Sequence, residues 1–267
     1  MTDPRERING ELSGPRPALS LVIPALNEAV RLPPYLLTIR EYCGRQFDGA
    51  YEVLVVDDGG NDDLAVALRR VWPDWPQLRV LRHEKNRGKG AAVRTGVGQS
   101  RGRLVLFADA DGAAPIDQEA RLRAAITDGA DVAVGSRLLP SAGVDRRRPM
   151  QRAIAGRLFA ALARRTLGLT VRDTQCGFKM FTGAAAHALF AACREEGFLF
   201  DLELLMLAAA WGLRVAEVPI TWREQPGSRL NFARECVKIA KGLRRLRSRR
   251  NSLPPAPADL LRRSDSG

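Results

Sequence analysis

The sequence predicts an α/β fold with a mostly parallel sheet flanked by helices. Between residues 19 and 232, short apolar runs of strand length alternate with segments of helical periodicity, as in right-handed βαβ units. Acidic and glycine-containing clusters follow the second, fourth and fifth of these strands. Because ligands bind beyond the carboxyl ends of the strands in such sheets, we expect a functional site at that edge.

Five predicted strands alternate with four helices in the first half of the chain. Each strand is a short, mainly apolar run, and Leu104–Ala108 is wholly apolar, which is typical of strands buried on both faces. Pro33 and Pro34 restrict the first helix to a start near them. In chain order the elements are strand Leu19–Ala25, helix 30–43, strand Tyr51–Val56, helix 62–71, strand Leu78–Leu81, helix 89–99, strand Leu104–Ala108, helix 116–125 and strand Val132–Val134.

The second half of the chain is more helical, with amphipathic helices that are rich in Arg. In order we expect helix 149–167, strand Phe178–Phe181, helices 184–193 and 201–211, strand Val215–Trp222 and helix Phe232–Leu246. The whole chain then divides into a flexible segment 1–18, one domain over 19–232, a basic amphipathic helix over 233–250 and a disordered tail over 251–267.

The amino-acid composition favours some classes of function and argues against others. The formal net charge of +12 indicates an anionic partner, whether phosphate, nucleotide, nucleic acid or an anionic membrane surface. Four scattered cysteines and two histidines give little material for a disulfide framework, a zinc site or His-based catalysis. The N-terminus has no apolar leader, and the ten residues of Leu204–Leu213 are too few for a membrane span of about 20. The sequence predicts a soluble or peripheral protein of the cytosol.

The strongest chemical signal is the segment FADADG (107–112), which directly follows the fourth predicted strand. Two carboxylates one residue apart can share a divalent cation, and Mg²⁺ or Mn²⁺ prefers oxygen ligands from one or two carboxylates together with substrate phosphates. A solvated turn with an Asp N-cap is the alternative interpretation. The position at the end of an apolar strand favours a metal site formed by Asp109 and Asp111.

Two clusters predict contacts to a nucleotide. Asp57 and Asp58 end the second strand, where a carboxylate can accept hydrogen bonds from ribose hydroxyls or base N–H groups. The segment NRGKG (86–90) resembles a phosphate-binding loop, although the pattern GxxxxGK[ST] is absent. Each cluster has a structural alternative, a plain turn for the first and a glycine-opened helix start for the second.

Two more clusters lie in the second half of the chain. Polar side chains interrupt the apolar surroundings of residues 173–179, which indicates the wall of a pocket. Cys176 has no histidine nearby, so we interpret it as a buried structural thiol rather than a nucleophile. Asp201 and Glu203 begin an apolar helix, where acids favour the N-terminus. The apolar residues before Asp201 nevertheless favour a position facing a pocket.

Together these motifs resemble those of family-2 glycosyltransferases with the GT-A fold, a Rossmann-like α/β fold. The similarity is greatest to the branch of dolichyl- and polyprenyl-phosphate glucosyltransferases, beside the dolichyl-phosphate mannose synthases. The motifs cover about residues 19–232 and occur in a fixed order: SLVIPALNE (20–28), VVDDGG (55–60), NRGKG (86–90), FADADG (107–112), GSR (135–137), DTQCGFKMF (173–181), FDLELL (200–205) and EVPITWREQPGSRL (217–230).

The resemblance implies roles for individual residues. Those on the side of the nucleotide sugar are Pro24, Asn27, Glu28, Asp57, Lys89 and Asp109, with Asp57 at the uracil or ribose. The metal, Mg²⁺ or Mn²⁺, is held by Asp109 and Asp111. The residues assigned to the acceptor and its phosphate are Arg137, Arg152 and Lys179. The catalytic set is Arg137, Gln175 and Asp201.

The resemblance also implies a reaction. An inverting transferase would move a hexose, in first place glucose from UDP-glucose, to a polyprenyl or dolichyl phosphate. Ala113 stands where mannose synthases have Gln, which favours UDP-glucose over GDP-mannose. A metal and arginines stabilise the leaving diphosphate. A phosphate acceptor with a second pKa of about 6 is largely ionised at neutral pH, whereas a hydroxyl acceptor would need a base, for which Asp201 is the candidate.

Other functions fit parts of the sequence. One is a soluble family-2 transferase acting on a saccharide or small-molecule hydroxyl, and another is a polyprenyl-phosphate mannose synthase using GDP-mannose. A nucleotidyltransferase would need a Gly-rich N-terminal triphosphate loop, which we do not find. A nucleic-acid-binding module would leave the acidic cluster unexplained and lacks aromatic stacking platforms, so we expect no nucleic-acid partner.

The basic C-terminal helix predicts contact with an anionic membrane surface. Lys238–Arg250 holds seven basic residues and no acid, and an apolar stripe runs as far as Leu246. One interpretation is a helix with its stripe in the acyl boundary and its cations on lipid phosphates. A solvated basic helix is the alternative. The first interpretation places a cytoplasmic, peripheral enzyme at the inner face of the cell membrane.

Overall fold

The computed structural model describes residues 15–140, 146–147, 161–223 and 232–261. Its strands are β1 (Leu19–Ala25), β2 (Tyr51–Asp57), β3 (Leu78–Arg82), β4 (Leu104–Ala108), β5 (Val132–Ser136), β6 (Arg146–Arg147), β7 (Phe178–Thr182), β8 (Val215–Pro219) and β9 (Trp222–Arg223). Seven of them form one sheet in the order β3-β2-β1-β4-β7-β5-β8, and β6 pairs with β9. Within the seven-stranded sheet β7 is antiparallel to its neighbours, and the other pairs are parallel.

Helices cover both faces of this sheet. They are α1 (Leu32–Phe47), α2 (Leu64–Val71), α3 (Lys89–Gly98), α4 (Glu119–Thr127), α5 (described over residues 161–167), α6 (Gly183–Ala192), α7 (Phe200–Ala210), α8 (Phe232–Arg249) and α9 (Ala258–Leu261), with 3-10 turns at Ile116–Gln118 and Arg250–Ser252. Alternate strand residues face opposite sides. Ile23 therefore lies in the apolar cluster that includes residues of α1, α2 and α4, and Val22 in the cluster that includes residues of α3, α6, α7 and α8.

The predicted alternation of strands and helices is confirmed, with local differences. The strand that we expected to end at Val134 continues to Ser136, and the strand expected over Val215–Trp222 ends at Pro219. After a short break, β9 pairs with β6 instead of the main sheet. The predicted helix 116–125 begins as a 3-10 turn. The part of predicted helix 149–167 before residue 161 lies outside the described residues.

The end of the predicted flexible N-terminal segment is tied to the sheet. The carbonyl of Pro17 accepts a hydrogen bond from the N–H of Arg103 at 2.9 Å, and Ala18 donates to the carbonyl of Ala50 at 2.8 Å. These bonds continue the pairing of β1 with its two neighbours beyond the strand itself. Apolar periodicity does not reveal such backbone bonds, which is why the sequence placed these residues in the lead-in.

The start of the predicted disordered tail is also packed. The indole N–H of Trp211 donates to the carbonyl of Pro254 at 2.8 Å, and Leu260 is buried in the apolar cluster that includes α6 and α7. The prediction of disorder is therefore wrong for this part of the tail. Its Pro-rich composition hides two anchors that depend on residues distant in sequence.

The apolar stripe of α8 packs against the protein. Leu243 and Leu246 are buried in the same cluster as α6 and α7. The interpretation that places this stripe in the acyl region of a membrane is wrong for these two residues, because the protein's own core covers them. Within the described ranges, no helix is both long enough and apolar enough to span a bilayer.

Candidate active site

The carboxyl ends of β2, β1 and β4 lie side by side, because these strands are parallel neighbours. Asp57 is the last residue of β2 and pairs with Ala25 at the end of β1. Asp109 follows the last residue of β4. The sheet therefore brings the residues predicted for the nucleotide and for the metal to one edge.

The side chains of Asp57 and Asn27 accept backbone N–H groups of the same turn, at Gly60 and Asn61, on the nucleotide side. Asp57 is fully buried, and its Oδ1 accepts the N–H of Gly60 at 2.8 Å. Its Oδ2 has no hydrogen-bond partner, with Nε of Arg82 3.5 Å away. Asn27 has a left-handed φ of 58°, which Asn tolerates well. A Cβ added at Gly60 would lie 3.0 Å from Asp57 Oδ1 and 3.1 Å from the backbone nitrogen of Asn27.

Pro24 and Glu28 complete this side. Pro24 is buried within β1. Glu28 is buried and forms an ion pair with Arg31, whose Nε donates to Oε2 at 2.8 Å. The hydrogen bond that Arg31 donates to Glu28, helped by the charges of Glu28 and Asp111, raises the pKa of Arg31 against the effect of burial. Arg31 is thus a cation within electrostatic reach of both the nucleotide side and the metal pair.

Asp58 fixes the loop that precedes α3. Its Oδ1 accepts the N–H of Arg87 at 3.0 Å and lies 2.7 Å from Nδ1 of His83, while its Oδ2 accepts the N–H of Gly88 at 2.7 Å. The second ring nitrogen of His83 lies 2.9 Å from the hydroxyl of Thr95. Sequence analysis did not assign this role to Asp58 or His83. The paired acids of the motif VVDDGG were the available signal.

Lys89, the first residue of α3, reaches the metal pair. Its Nζ lies 2.6 Å from Oδ1 of Asp109 and 5.1 Å from the centroid of the Phe107 ring. Burial by itself lowers the pKa of this amine, but the charges of Asp109, Asp201 and Asp111 outweigh burial and raise it. Lys89 is therefore a firmly charged ammonium among three carboxyl groups.

Asp111 is positioned by its own loop. Its Oδ1 accepts the N–H of Ala113 at 3.0 Å. Burial, followed by the charge of Asp109, raises the pKa of Asp111. Tyr35 supports the loop from α1: its hydroxyl donates to the carbonyl of Ala114 at 3.0 Å, and its ring would touch a Cβ added at Gly112.

The pair Asp109 and Asp111 fits a metal that is shared with a phosphate ligand. In the described part of the chain, no group of three or more His, Cys, Asp or Glu side chains is arranged to hold a metal. Mg²⁺ usually binds through one or two carboxylates plus substrate phosphates, so two oxygen donors are an appropriate set. Burial, followed by the charge of Asp109, disfavours the ionised form of Asp111, so a cation at this pair would stabilise it.

Gly177 makes room for the Asp109 carboxylate. The N–H of Asp109 donates to the carbonyl of Gly177 at 2.9 Å. A Cβ at Gly177 would overlap both carboxylate oxygens of Asp109. The glycine in DTQCGFKMF therefore shapes the metal pair, which the sequence alone did not reveal.

Asp201 and Lys179 form an ion pair in the interior. Lys179 is 1% exposed and Asp201 2%. The Lys179 amine lies 2.5 Å from Asp201 Oδ1 and donates to the carbonyl of Cys176 at 2.6 Å. Burial raises the pKa of Asp201, although the charges of Lys179 and Lys89 oppose the shift. Lys179, predicted to bind the acceptor phosphate, has internal partners instead, because β7 directs its side chain into the protein.

Arg137 is anchored by Asp173. Its Nε donates to Oδ2 and its second guanidinium nitrogen to Oδ1, both at 2.7 Å, and the guanidinium lies 4.8 Å from the centroid of the Trp222 ring. Burial alone would raise the pKa of Asp173, but the charge and hydrogen bonds of Arg137 outweigh it and lower the pKa. The predicted contact of Arg137 with phosphate stays a prediction, and its observed partner is a carboxylate.

Three other residues singled out in the sequence analysis are Gln175, Cys176 and Arg152. Gln175 is partly exposed, and its side-chain amide donates to the carbonyl of Phe198 at 3.0 Å. Cys176 is buried, and burial raises its pKa to about 12, as expected for a structural thiol. Arg152 lies outside the described residues.

Comparison of the sequence with known proteins gives consistent relatives. Dolichyl-phosphate β-glucosyltransferase from Saccharomyces cerevisiae is 33% identical over 244 residues, which are 84% of this chain and 72% of the yeast protein. The protein of the same name from Homo sapiens is 34% identical over 85% of this chain and 74% of its own length. The one from Drosophila melanogaster is 38% identical over 79% of this chain and 69% of its own.

Solved structures share the fold. Glucosyl-3-phosphoglycerate synthase from Mycobacterium tuberculosis, in complex with UDP, superposes with a TM-score of 0.62 at 21% identity and covers 89% of this chain and 81% of its own. A mannosyltransferase from Pyrobaculum calidifontis superposes with a TM-score of 0.61 at 20% identity, and the match covers 91% of this chain and 66% of the mannosyltransferase. These likenesses confirm the predicted GT-A architecture. The sequence profile of glycosyl transferase family 2 matches residues 20–190, a segment that contains Asp57, Lys89 and the Asp109–Asp111 pair, and the chain belongs to that family.

Proposed function

We propose that this protein transfers glucose from UDP-glucose to a polyprenyl phosphate with the help of Mg²⁺ or Mn²⁺. The observation that carries the proposal is the placement of Asp57, Lys89 and Asp109 at one edge of three adjacent strands. This edge provides an acceptor for nucleoside N–H or O–H groups, a cation for a diphosphate and a carboxylate for a metal. A nucleoside diphosphate sugar requires all three together.

A buried carboxylate oxygen without a hydrogen-bond partner supports the proposed binding of the nucleotide sugar. Oδ2 of Asp57 is buried without a hydrogen-bond partner, and buried acceptors of this kind are rare unless a ligand or water completes them. The metal, when bound by Asp109 and Asp111 with the donor phosphates, would stabilise the charge that develops on the leaving diphosphate. Lys89 and Arg31 add positive charge next to that pair.

The acceptor side is supported by the state of Asp201. A general base for a hydroxyl acceptor must reach the proton that it removes, but Asp201 is buried and bound to Lys179. A phosphate monoester needs no such base, since its second pKa of about 6 leaves it ionised at neutral pH. The relatives from yeast, fly and human carry dolichyl phosphate in their names, which agrees with a lipid phosphate acceptor here.

We also propose that the protein binds the cytoplasmic face of an anionic membrane through α8. Arg245 and Arg249 are held by ion pairs to Glu195 and Glu203, which dock the helix on the protein. Four further cations of α8 and the following turn are exposed, namely Lys241, Arg244, Arg247 and Arg250. Each cation near such a surface contributes about 1 kcal/mol, so the attraction would be electrostatic and reversible.

The reaction is tested with a panel of donors. The full chain is incubated with polyprenyl phosphate and labelled UDP-glucose or GDP-mannose, with Mn²⁺, with Mg²⁺ or with excess EDTA, and label in the lipid phase is counted. We expect label from UDP-glucose only when a metal is present. Faster transfer from GDP-mannose would overturn the choice of donor. Transfer to added saccharides but not to the lipid phosphate would overturn the choice of acceptor.

A matched pair of variants tests the site. Asp111→Asn removes one charge from the metal pair, and we expect transfer to fall by about 10²–10³-fold, the usual loss when a group that stabilises developing charge is removed. Asp74→Asn makes the same change at an exposed position in the turn after α2 and should keep full activity. Equal activity of the two variants, both folded by circular dichroism, would remove Asp111 from the site.

The membrane proposal is tested by co-sedimentation with vesicles. A triple variant, Lys241→Gln, Arg244→Gln and Arg247→Gln, should lose binding to anionic vesicles that the unchanged chain retains at low salt and releases at high salt. A control with three exposed cations changed elsewhere, Arg45→Gln, Lys85→Gln and Arg103→Gln, should bind as before. Equal loss in both variants would mean that net charge, not α8, causes the binding.

A further inference from the structure

Lys89 already provides a cation to the carboxylates that are assigned to the metal. Its ammonium lies 2.6 Å from Oδ1 of Asp109, and Asp111 and Asp201 are close enough to raise its pKa. Asp201 has its own internal cation in Lys179. The carboxylate that Lys89 contacts directly, and whose charge it mainly balances, is that of Asp109.

An ammonium and a divalent cation repel each other strongly at this range. Metal binding at Asp109 must therefore compete with the ion pair that Lys89 makes there. The displaced ammonium needs a new anionic partner, or the exchange is unfavourable in a partly buried site. The diphosphate of a nucleotide sugar is an anion of the right charge, and it arrives with the metal.

The backbone around Lys89 is fixed, whereas its side chain is partly exposed. Asp58 accepts the N–H of Arg87 and of Gly88. A Cβ added at Gly90 would lie 2.6 Å from the carbonyl oxygen of Glu195, so the start of α3 packs tightly on the segment before α7. The side chain of Lys89 keeps 20% of its surface exposed, and its four-carbon stem is flexible.

We propose that Lys89 is the resident counter-ion of the metal pair and exchanges between two partners. Without ligands it neutralises Asp109; with metal and nucleoside diphosphate bound, the metal takes Asp109 and Lys89 moves to the diphosphate. The proposal rests on the metal site of the proposed function. Its consequence is positive coupling: metal binds weakly to the free protein and more tightly once a nucleoside diphosphate accepts Lys89.

The coupling is measured by titrating Mn²⁺ into the full chain and following free Mn²⁺ by electron paramagnetic resonance, with and without UDP. For the unchanged chain we expect UDP to tighten Mn²⁺ binding by at least about fivefold, the lower end of common coupling factors. Lys89→Met should bind Mn²⁺ more tightly than the unchanged chain without UDP, and should gain less from UDP. Lys89→Arg, which keeps the charge, should retain weak binding without UDP.

Lys85→Met is the matched control, since Lys85 is an exposed cation of the same segment. It should behave as the unchanged chain, and thermal melting should show that all variants fold. Equal Mn²⁺ affinities of the unchanged chain and Lys89→Met without UDP would overturn the exchange while leaving the metal site intact. Failure of every variant to bind Mn²⁺, with or without UDP, would overturn the metal site and the exchange together.

Discussion

Asp58 binds His83 on one side and two backbone N–H groups of the loop before α3 on the other. Its Oδ1 lies 2.7 Å from Nδ1 of His83, and both residues are buried. Thr95, one helical turn and a half into α3, holds the other nitrogen of the ring. The end of β2 is thereby joined to the start and to the middle of α3, which carries Lys89. The position of Lys89 thus depends on the hydrogen-bond network of Asp58, His83 and Thr95, none of which was predicted to contact the nucleotide sugar or the metal.

We expect Asp58→Asn to weaken the binding of the nucleotide sugar. The side-chain amide of Asn has an NH₂ group in place of one of the carboxylate oxygens. This donor would then face an N–H group that the carboxylate of Asp58 now accepts. A hydrogen bond to a charged group contributes about 1.5–3 kcal/mol, so KM for the nucleotide sugar should rise by about 10- to 100-fold. Steady-state kinetics at saturating acceptor give this value. Asp63→Asn, at an exposed position a few residues further along, should leave KM unchanged, and a similar rise there would argue against a specific role for Asp58.

Gly177→Ala should disable the metal pair without unfolding the protein. The added Cβ overlaps the carboxylate of Asp109, so either that side chain or the loop before β7 must move. We expect a loss of transfer of about 10²-fold or more, since displacement of a positioning group by about 1 Å commonly costs that much. The measurement is the rate of glucose transfer at saturating Mn²⁺.

The control for Gly177→Ala is Gly98→Ala. Gly98 lies at the end of α3, and a Cβ added there meets nothing within 4 Å. We expect normal transfer and a gain in stability of about 0.4–1 kcal/mol, because alanine reduces the conformational entropy of the unfolded chain. Normal transfer by Gly177→Ala as well would show that the Asp109 carboxylate is not needed where the structure places it.

The fold was largely predictable because β1, β2 and β4 are short, mainly apolar runs separated by helical segments. The antiparallel direction of β7 was not predictable, since β7 pairs with β4 and β5, whose residues lie about 45 to 78 positions earlier in the sequence. The same limit applies to the tail. Pro254 and Leu260 are held by residues far away in sequence, and composition alone reads such a segment as disordered.

The candidate site was predictable where the chemistry resides in one short segment. Asp109 and Asp111 directly follow a strand, so their position needs no tertiary information. The partners of Lys179 and Arg137 were not predictable, because Asp201 and Asp173 come from other segments. From sequence alone, a basic residue near a predicted phosphate site is interpreted as a phosphate ligand. Only the structure shows that a carboxylate already pairs with it.

Asp173→Asn should destabilise the protein strongly at neutral pH. The change removes the charge that Arg137 pairs with, and both side chains are largely buried. Breaking such a buried pair costs about 3–5 kcal/mol, which urea unfolding at pH 7 would measure. Asp131→Asn is a useful comparison, because this partly exposed carboxylate accepts one backbone N–H and belongs to no ion pair among the described residues. It should cost much less.

The same variant has a predicted pH dependence. Arg137 lowers the pKa of Asp173 below its ordinary value of about 3.9. A lowered pKa in the folded state adds stability above the unfolded pKa, and this is lost as the pH falls through the folded pKa. The stability difference between the unchanged chain and Asp173→Asn should therefore be constant from pH 7 to about 5 and shrink below about 4. A difference that does not change in acid would contradict the assigned ion pair.

Asp201→Asn tests whether Asp201 acts as a general base toward the acceptor. If the acceptor is an ionised phosphate, the acid limb of kcat/KM against pH follows the second pKa of that phosphate, about 6, and no carboxylate of the protein sets it. The variant should then keep the acid limb of the pH profile, and its rate should fall by less than about 10²-fold. Loss of a general base typically lowers the rate by 10²–10⁴-fold. The pH profile with polyprenyl phosphate and UDP-glucose measures both.

A phosphonate analogue of the acceptor completes this test. Its second pKa is higher than that of a phosphate ester, so the acid limb should move to higher pH for the unchanged chain and for Asp201→Asn alike. The pair Asp201–Lys179 would then act inside the protein, where Lys179 holds the carbonyl of Cys176 and the Asp201 carboxylate together. If the limb disappears in Asp201→Asn, or stays in place when the acceptor is changed, a group of the protein sets it, and the assignment of Asp201 to a purely internal ion pair is wrong.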